Sequence, residues 1–306
     1  MIAIKLGLEV GLETVAQTAQ RMGIRTEIER FPSTAIGAAE VIPIQMAEAY
    51  ATFASLGTRV RPFGVIRVLS PEGEVLWEPQ PEKAQVLDSL TARVMVSMLE
   101  DVVAQGTAYT AVRVRGDLPR EVPAAGKTGT TNEGTNVWFM GFTPNLMAAV
   151  WFGMDRPVNI WDRATGGGDA APVWGRFMRR VYYSDSTRAH ADSVLTARGY
   201  LPPPGQELRM AASQGDADSA AAPNSGESAE IRGFLLPIPE PWPILEGLTT
   251  RMVDAKTGLL ASPWCPEERA YLELYVPGTE PTEPCDMSGP LIFRKPQDFR
   301  RPQDHP

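Results

Sequence analysis

Ala125-Gly126-Lys127-Thr128-Gly129-Thr130-Thr131-Asn132 lies near the middle of the chain, followed by Asn136-Val137-Trp138-Phe139-Met140-Gly141-Phe142-Thr143-Pro144 and Ala149-Val150-Trp151-Phe152-Gly153-Met154-Asp155. The runs Ala124–Thr131, Val137–Thr143 and Met147–Met154 are short, apolar and rich in aromatic or β-branched residues, which predicts three strands. Thr143-Pro144-Asn145 supplies a tight turn between the last two. Alternation places Lys127 and Gly129 on one strand face and Thr128 and Thr130 on the other. A twisted edge strand, bare at Gly129, is expected to offer both the Lys127 ammonium and the Thr130 hydroxyl to a ligand. Free edge N–H and C=O groups let a peptide add as a further strand. Such a site suits an extended peptide ending in a carboxylate. On these residues alone, a solvated edge strand with a surface lysine is an equal reading. A phosphate-binding loop is not, because Glu121 stands where that motif needs glycine.

Working outward, helical patterns flank the strands. Ile2–Met22 carries apolar residues at helical spacing, weakened at Gly7 and Gly11, with Gly23 as its stop. Pro43–Leu56 predicts a second helix with Met46, Ala47, Tyr50, Phe53 and Ala54 on one face. Val65–Leu69 and Glu74–Trp77 predict a hairpin around Ser70-Pro71-Glu72-Gly73. Asp88 or Ser89 caps a third helix that runs to about Gln105. After Pro172, Val173, Trp174, Phe177 and Val181 mark one face of a further helix. Helices before and after an antiparallel sheet describe an α+β domain. Trp138, Phe139, Phe142, Trp151 and Phe152 are expected in the sheet core.

The polar stretch 185–233 is rich in Ser, Ala, Asp, Gly and Pro and predicts a disordered linker. Residues 234–289 predict a small irregular module, and 290–306 a polar tail. Across 306 residues, 29 basic against 37 acidic side chains argue against a phosphate-neutralising nucleic-acid surface. The run Phe293–Arg301 is short and mixed in charge. Cys265 and Cys285 form a disulfide or stay free thiols; an oxidising compartment favours the bond. With only His190 and His305, both in loop-like sequence, a four-ligand zinc site is excluded. No segment has the run of apolar residues a membrane span needs, and Met1–Leu12 lacks the basic flank and cleavage site of a signal peptide.

The strand–hairpin sequence around Lys127 resembles the third-motif strand and following hairpin of class A penicillin-binding proteins. Ala35–Ala47 through Tyr50–Ala54 is similar to the helix pair of their transpeptidase domain, and Gly167–Met178 to its closing helix. Gly258–Pro266 and Pro277–Thr282 are similar to the C-terminal extension of some members. The resemblance covers Ile2–Tyr183 well and the tail loosely. It implies a partial serine β-lactamase/transpeptidase-like fold over 1–184, with antiparallel strands packed by helices. It implies no cofactor and no metal. It implies that Lys127, Thr128 and Thr130 bind a substrate carboxylate and that Lys127 assists proton transfer. It implies that the backbone at the fourth position of the motif helps form the oxyanion hole, so that the substrate-binding set is Lys127, Thr128, Gly129 and Thr130.

The sequence departs from the family at two motifs. No serine has lysine three residues on, and no Ser-x-Asn occurs. The expectation is therefore a fragment of a peptidoglycan D,D-transpeptidase, inactive by itself because the nucleophile is absent. Its expected partners are D-Ala-D-Ala stem peptides and β-lactams, and its parent belongs on the extracytoplasmic face of the bacterial membrane. The alternatives are a non-catalytic stem-peptide-binding or assembly module, and an unstable fragment whose Met147–Met154 strand is an exposed apolar edge. Asp155 and Asp169 are candidates to line the cleft.

Overall fold

A computed structural model describes residues 2–156, 158–183, 236–263, 265 and 269–285. The expected linker 185–233 lies outside them, as do the tail 290–306, His190 and His305.

The amino-terminal pattern forms two helices, α1 (Ile2–Val10) and α2 (Leu12–Arg21), in place of the single helix expected over Ile2–Met22. Gly11 takes φ +93°, a left-handed conformation that ends one helix and starts the next. Gly23, at φ +117°, ends the second. The next helix, α3 (Pro43–Ala54), buries Gln45, Glu48, Ala49 and Thr52. Its expected apolar face, including Met46, Tyr50 and Phe53, is only half-buried. The rotation follows from satisfied polar groups. Glu48 meets Arg25 at 2.8 Å and Arg59 at 3.7 Å. The Gln45 Oε1 accepts from Arg25 N, Thr26 N and Thr26 Oγ1.

Two short hairpins follow. The strands β1 (Thr58–Val60) and β4 (Lys83–Gln85) pair around β2 (Val68–Leu69) and β3 (Val75–Trp77). The outer pair escaped the sequence reading because three-residue polar strands carry no periodicity. Helix α4 (Ser89–Ala104) begins where Asp88 accepts a hydrogen bond from Thr91 N at 2.9 Å.

The central sheet has the order β5 (Ala125–Thr130), β6 (Asn136–Phe142), β7 (Met147–Gly153), antiparallel throughout. Its middle strand is covered on both faces. Phe139 meets Trp174 of α5 (Ala171–Tyr182) with ring centroids 5.3 Å apart, while Phe142 packs against Tyr50 and Trp242. The buried face of α5 is Trp174, Met178 and Val181, whereas Phe177 is 46% exposed, contrary to the expected face. The Trp174 indole fixes this rotation: its Nε1 donates to Gly141 O at 3.0 Å, so the ring must lie over β6. On β7 only Ala149 and Trp151 are exposed, because α3 and α5 lie against the strand. The chain is an α+β fold.

The C-terminal module is organised by a two-stranded ribbon, β8 (Thr249–Asp254) with β9 (Ala270–Tyr275). The disulfide Cys265–Cys285 closes it, with Cα atoms 6.3 Å apart. The module docks on α4 and α3. Arg93 Nε donates to Pro243 O at 2.9 Å, Trp242 Nε1 to Ala54 O at 3.0 Å, and Ser97 Oγ to Glu273 Oε1 at 3.1 Å. Among the described residues, no helix is long and apolar enough to cross a membrane.

Candidate functional site

The site is built on β5. Its residues pair one-to-one with β6, placing Lys127 opposite Met140, Gly129 opposite Trp138 and Thr130 opposite Val137. Among the described residues no strand pairs with the other side of β5, so it is a sheet edge, with α4 packed nearby. Lys127 is exposed, and its Nζ donates to Thr128 O at 3.0 Å. Alternation leaves the Lys127 and Thr130 side chains on opposite faces; what they share is the outer edge of the strand.

The Thr130 hydroxyl accepts a hydrogen bond from Gly166 N at 3.0 Å. Gly166 opens the turn Gly166–Ala170 that leads into α5. A Cβ on Gly166 would lie 2.5 Å from Gly129 O and closer still to Trp138 O. Only glycine lets this backbone rest directly on the two strands. The turn is capped reciprocally: Gly168 N donates to Thr165 Oγ1 and Thr165 N to Asp169 Oδ2, each at 2.8 Å. Asp169 is thus a capping residue, while Asp155 is exposed.

On the Lys127–Gly129 face, the bare glycine exposes an aromatic row. A Cβ on Gly129 would approach Trp138 Cβ at 3.2 Å. Trp138 stands beside Trp151 with ring centroids 5.7 Å apart, and Trp151 Nε1 donates to Asn136 Oδ1 at 2.9 Å. Trp151 is 40% exposed. The aromatic cluster expected in the core is therefore divided. Phe139 and Phe142 are buried, and the tryptophans form a ledge beside the lysine.

At the Thr130 end, two loops meet. Thr131 Oγ1 accepts from Thr135 N and Asn136 N, each at 3.0 Å, closing the β5–β6 turn. Ile160 N donates to Gly134 O at 3.2 Å and straps the loop after β7 against that turn. Between them is a cavity of about 300 Å³ bounded by Thr130, Asn132, Glu133, Asn159 and Arg163. Sequence reading missed this cavity, because Glu133 and Arg163 lie thirty positions apart on unpatterned loops. The non-glycine φ of +65° at Arg163 has no local sequence signature either.

Chemically, an edge strand with an ammonium, two hydroxyls and unpaired backbone groups can hold a carboxylate and pair with an extended peptide. The description "Penicillin binding protein transpeptidase domain" matches residues 3–179. This chain belongs to that family. A second description, the C-terminal domain of penicillin-binding protein 1A, matches residues 245–290. Penicillin-binding protein 1A of Aquifex aeolicus is 38% identical over 196 residues, covering 63% of this chain and 26% of its own length. The chain therefore spans about a quarter of the length of that relative. The crystal structure of penicillin-binding protein 1A from Haemophilus influenzae superposes with a TM-score of 0.63 at 21% identity, over 93% of this chain and 39% of that one. The penicillin-binding protein PonA1 from Mycobacterium tuberculosis gives 0.50 at 26% identity, over 60% of this chain and 53% of that one. The fold is accordingly that of part of a penicillin-binding transpeptidase.

Proposed function

We propose that β5 is the carboxylate-gripping strand of a peptidoglycan D,D-transpeptidase, binding stem peptides that end in D-Ala-D-Ala. The observation that carries this reading is Lys127-Thr128-Gly129-Thr130 on a sheet edge, within a chain of the transpeptidase family. In this reading Lys127, with the Thr128 and Thr130 hydroxyls, attracts the terminal carboxylate and assists proton transfer. Backbone N–H groups of the edge face the scissile carbonyl, and Gly129 lets the peptide backbone approach. β-Lactams occupy the same groove as carboxylate-bearing substrate mimics. The Cys265–Cys285 bond and the penicillin-binding protein 1A relatives support a place in the cell envelope, on the extracytoplasmic side.

These 306 residues hold no Ser-x-x-Lys, so this chain by itself grips and does not acylate. Calorimetric titration with a D-Ala-D-Ala peptide should show reversible binding, weakened about tenfold by Lys127→Ala through loss of a charge-assisted contact. A fluorescent penicillin should leave no covalent label. Absence of any peptide affinity, or indifference to Lys127→Ala, would overturn the grip. Stoichiometric labelling would reveal a nucleophile among these residues.

A further inference from the structure

We propose that the chain associates with a second copy of itself head to tail, the acidic tip of the β2–β3 hairpin of one copy seating on an arginine-rich face of the next. That face is made by α5 and the helical turn Thr110–Arg115 beside it. The contact involves neither β5 nor its cavity, so it is independent of the peptide grip.

The hairpin lacks a surface to pack on. β2 and β3 form a two-stranded sheet of their own, which is marginal in water without one. Val68 stands opposite Trp77 and Leu69 opposite Val75; all four side chains are exposed, as is Leu76 at 63%. An exposed apolar cluster of this kind marks a contact surface. Its charges define the partner. Arg61 pairs with Glu82 at 3.3 Å and Arg67 with Glu78 at 3.0 Å across the strands. At the turn, the Glu72 and Glu74 side chains have no partner among the described residues. The turn itself is fixed: Ser70 Oγ accepts from Glu72 N and Glu74 N at 3.2 Å each, and Ser70 N donates to Glu74 O at 2.8 Å. Two carboxylates are thus preorganised beside an apolar surface. Two such tips repel each other, so the hairpin does not pair with its own copy.

The complementary surface lies on the same chain. Gly116, just after the turn Thr110–Arg115, meets Gly175 of α5 so closely that a Cβ on Gly116 would lie 2.8 Å from Gly175 Cα. This contact brings Arg115 beside Arg176, whose Nη1 donates to Arg115 O at 3.5 Å, and Arg180 follows one helical turn on. All three arginines are exposed. The carboxylate beside them is already used, since Asp117 pairs with Arg179 at 2.9 Å. Arg115 and Arg180 have no side-chain partner among the described residues, and Arg176 has only that one carbonyl. Val114 is 61% exposed and Phe177 46%, beside the arginines. An apolar surface with uncommitted cations is the counterpart of an apolar tip with uncommitted carboxylates. The chain as a whole carries a charge of -8, so two copies repel on average and only opposite patches hold them together. A contact between two different patches leaves one tip and one arginine face free, so it can repeat along a row of copies.

The test is sedimentation velocity on the whole chain from low to high micromolar concentration. The weight-average mass should rise with concentration above that of one chain. Glu72→Arg combined with Glu74→Arg should weaken association about tenfold, and so should Arg115→Glu combined with Arg180→Glu. An equimolar mixture of the two double variants should regain most of the association, because every tip then meets a face of opposite charge. All four positions are exposed, and thermal melting checks that each variant is folded. A chain that stays single throughout the range would overturn the proposal. So would a double variant that associates as strongly as the unaltered chain, or a mixture no more associated than its folded parts.

Discussion

Replacing Gly166 by alanine tests whether the turn before α5 is seated on the sheet by close backbone contact. The added Cβ would lie 2.5 Å from Gly129 O and closer still to Trp138 O, distances that real Cβ atoms essentially never show. Both are backbone atoms of the paired strands β5 and β6, so no side chain can swing aside. The turn must lift, which breaks the bond from Gly166 N to Thr130 Oγ1. Loss of that bond costs about 1 kcal/mol. The forced shift costs about 1–3 kcal/mol, as for overpacking in cores. Alanine's better helical propensity returns up to about 1 kcal/mol in this helix-like turn. The net destabilisation is about 1–4 kcal/mol, or a Tm lower by roughly 2–8 °C for a chain of this size. Urea unfolding followed by tryptophan fluorescence reads it, since Trp138 is part of the contact. The same variant should weaken D-Ala-D-Ala peptide binding, because β5 loses the support behind Thr130. A variant as stable as the unaltered chain would refute the seating argument.

Trp174→Phe should destabilise by about 2–4 kcal/mol, since it leaves the buried Gly141 carbonyl without its donor and opens space beside Phe139; thermal melting checks this, and an unchanged Tm refutes it. Reducing Cys265–Cys285, which are 20 residues apart, should cost the C-terminal ribbon about 3 kcal/mol while leaving peptide affinity at β5 unchanged. Hydrogen exchange on β8 and β9 with and without reductant separates the two effects. Glu100 is raised above the ordinary carboxylate range by burial, which outweighs Arg93 at 3.1 Å, and burial also raises Asp101. A raised carboxyl favours the folded state in its protonated form, so its contribution is greatest in acid and declines as pH rises through and above the ordinary carboxylate range. Glu100→Gln should flatten that part of the pH–stability profile, and an unchanged slope would refute the assignment.

Much of the architecture is local, and the sequence alone determined it. The three sheet strands, the Thr143–Asn145 turn, the Asp88 cap and the Lys127-Thr128-Gly129-Thr130 strand were all legible, because turn residues, caps and alternation act between near neighbours in the chain. Which way each element faces was decided only by the tertiary structure. α5 turns Met178 inward and Phe177 outward because the Trp174 indole must reach Gly141 on a strand over thirty residues away. α3 buries Glu48 because Arg25 and Arg59 are brought to it. Thr130 points to Gly166, and the tryptophans pair outside the core, for the same reason. The cavity with Glu133 and Arg163 exists only once two loops, unremarkable in sequence, are strapped together. Local hydrogen bonding and side-chain shape select elements; long-range satisfaction of buried polar groups sets their rotation, and with it the chemistry of the site.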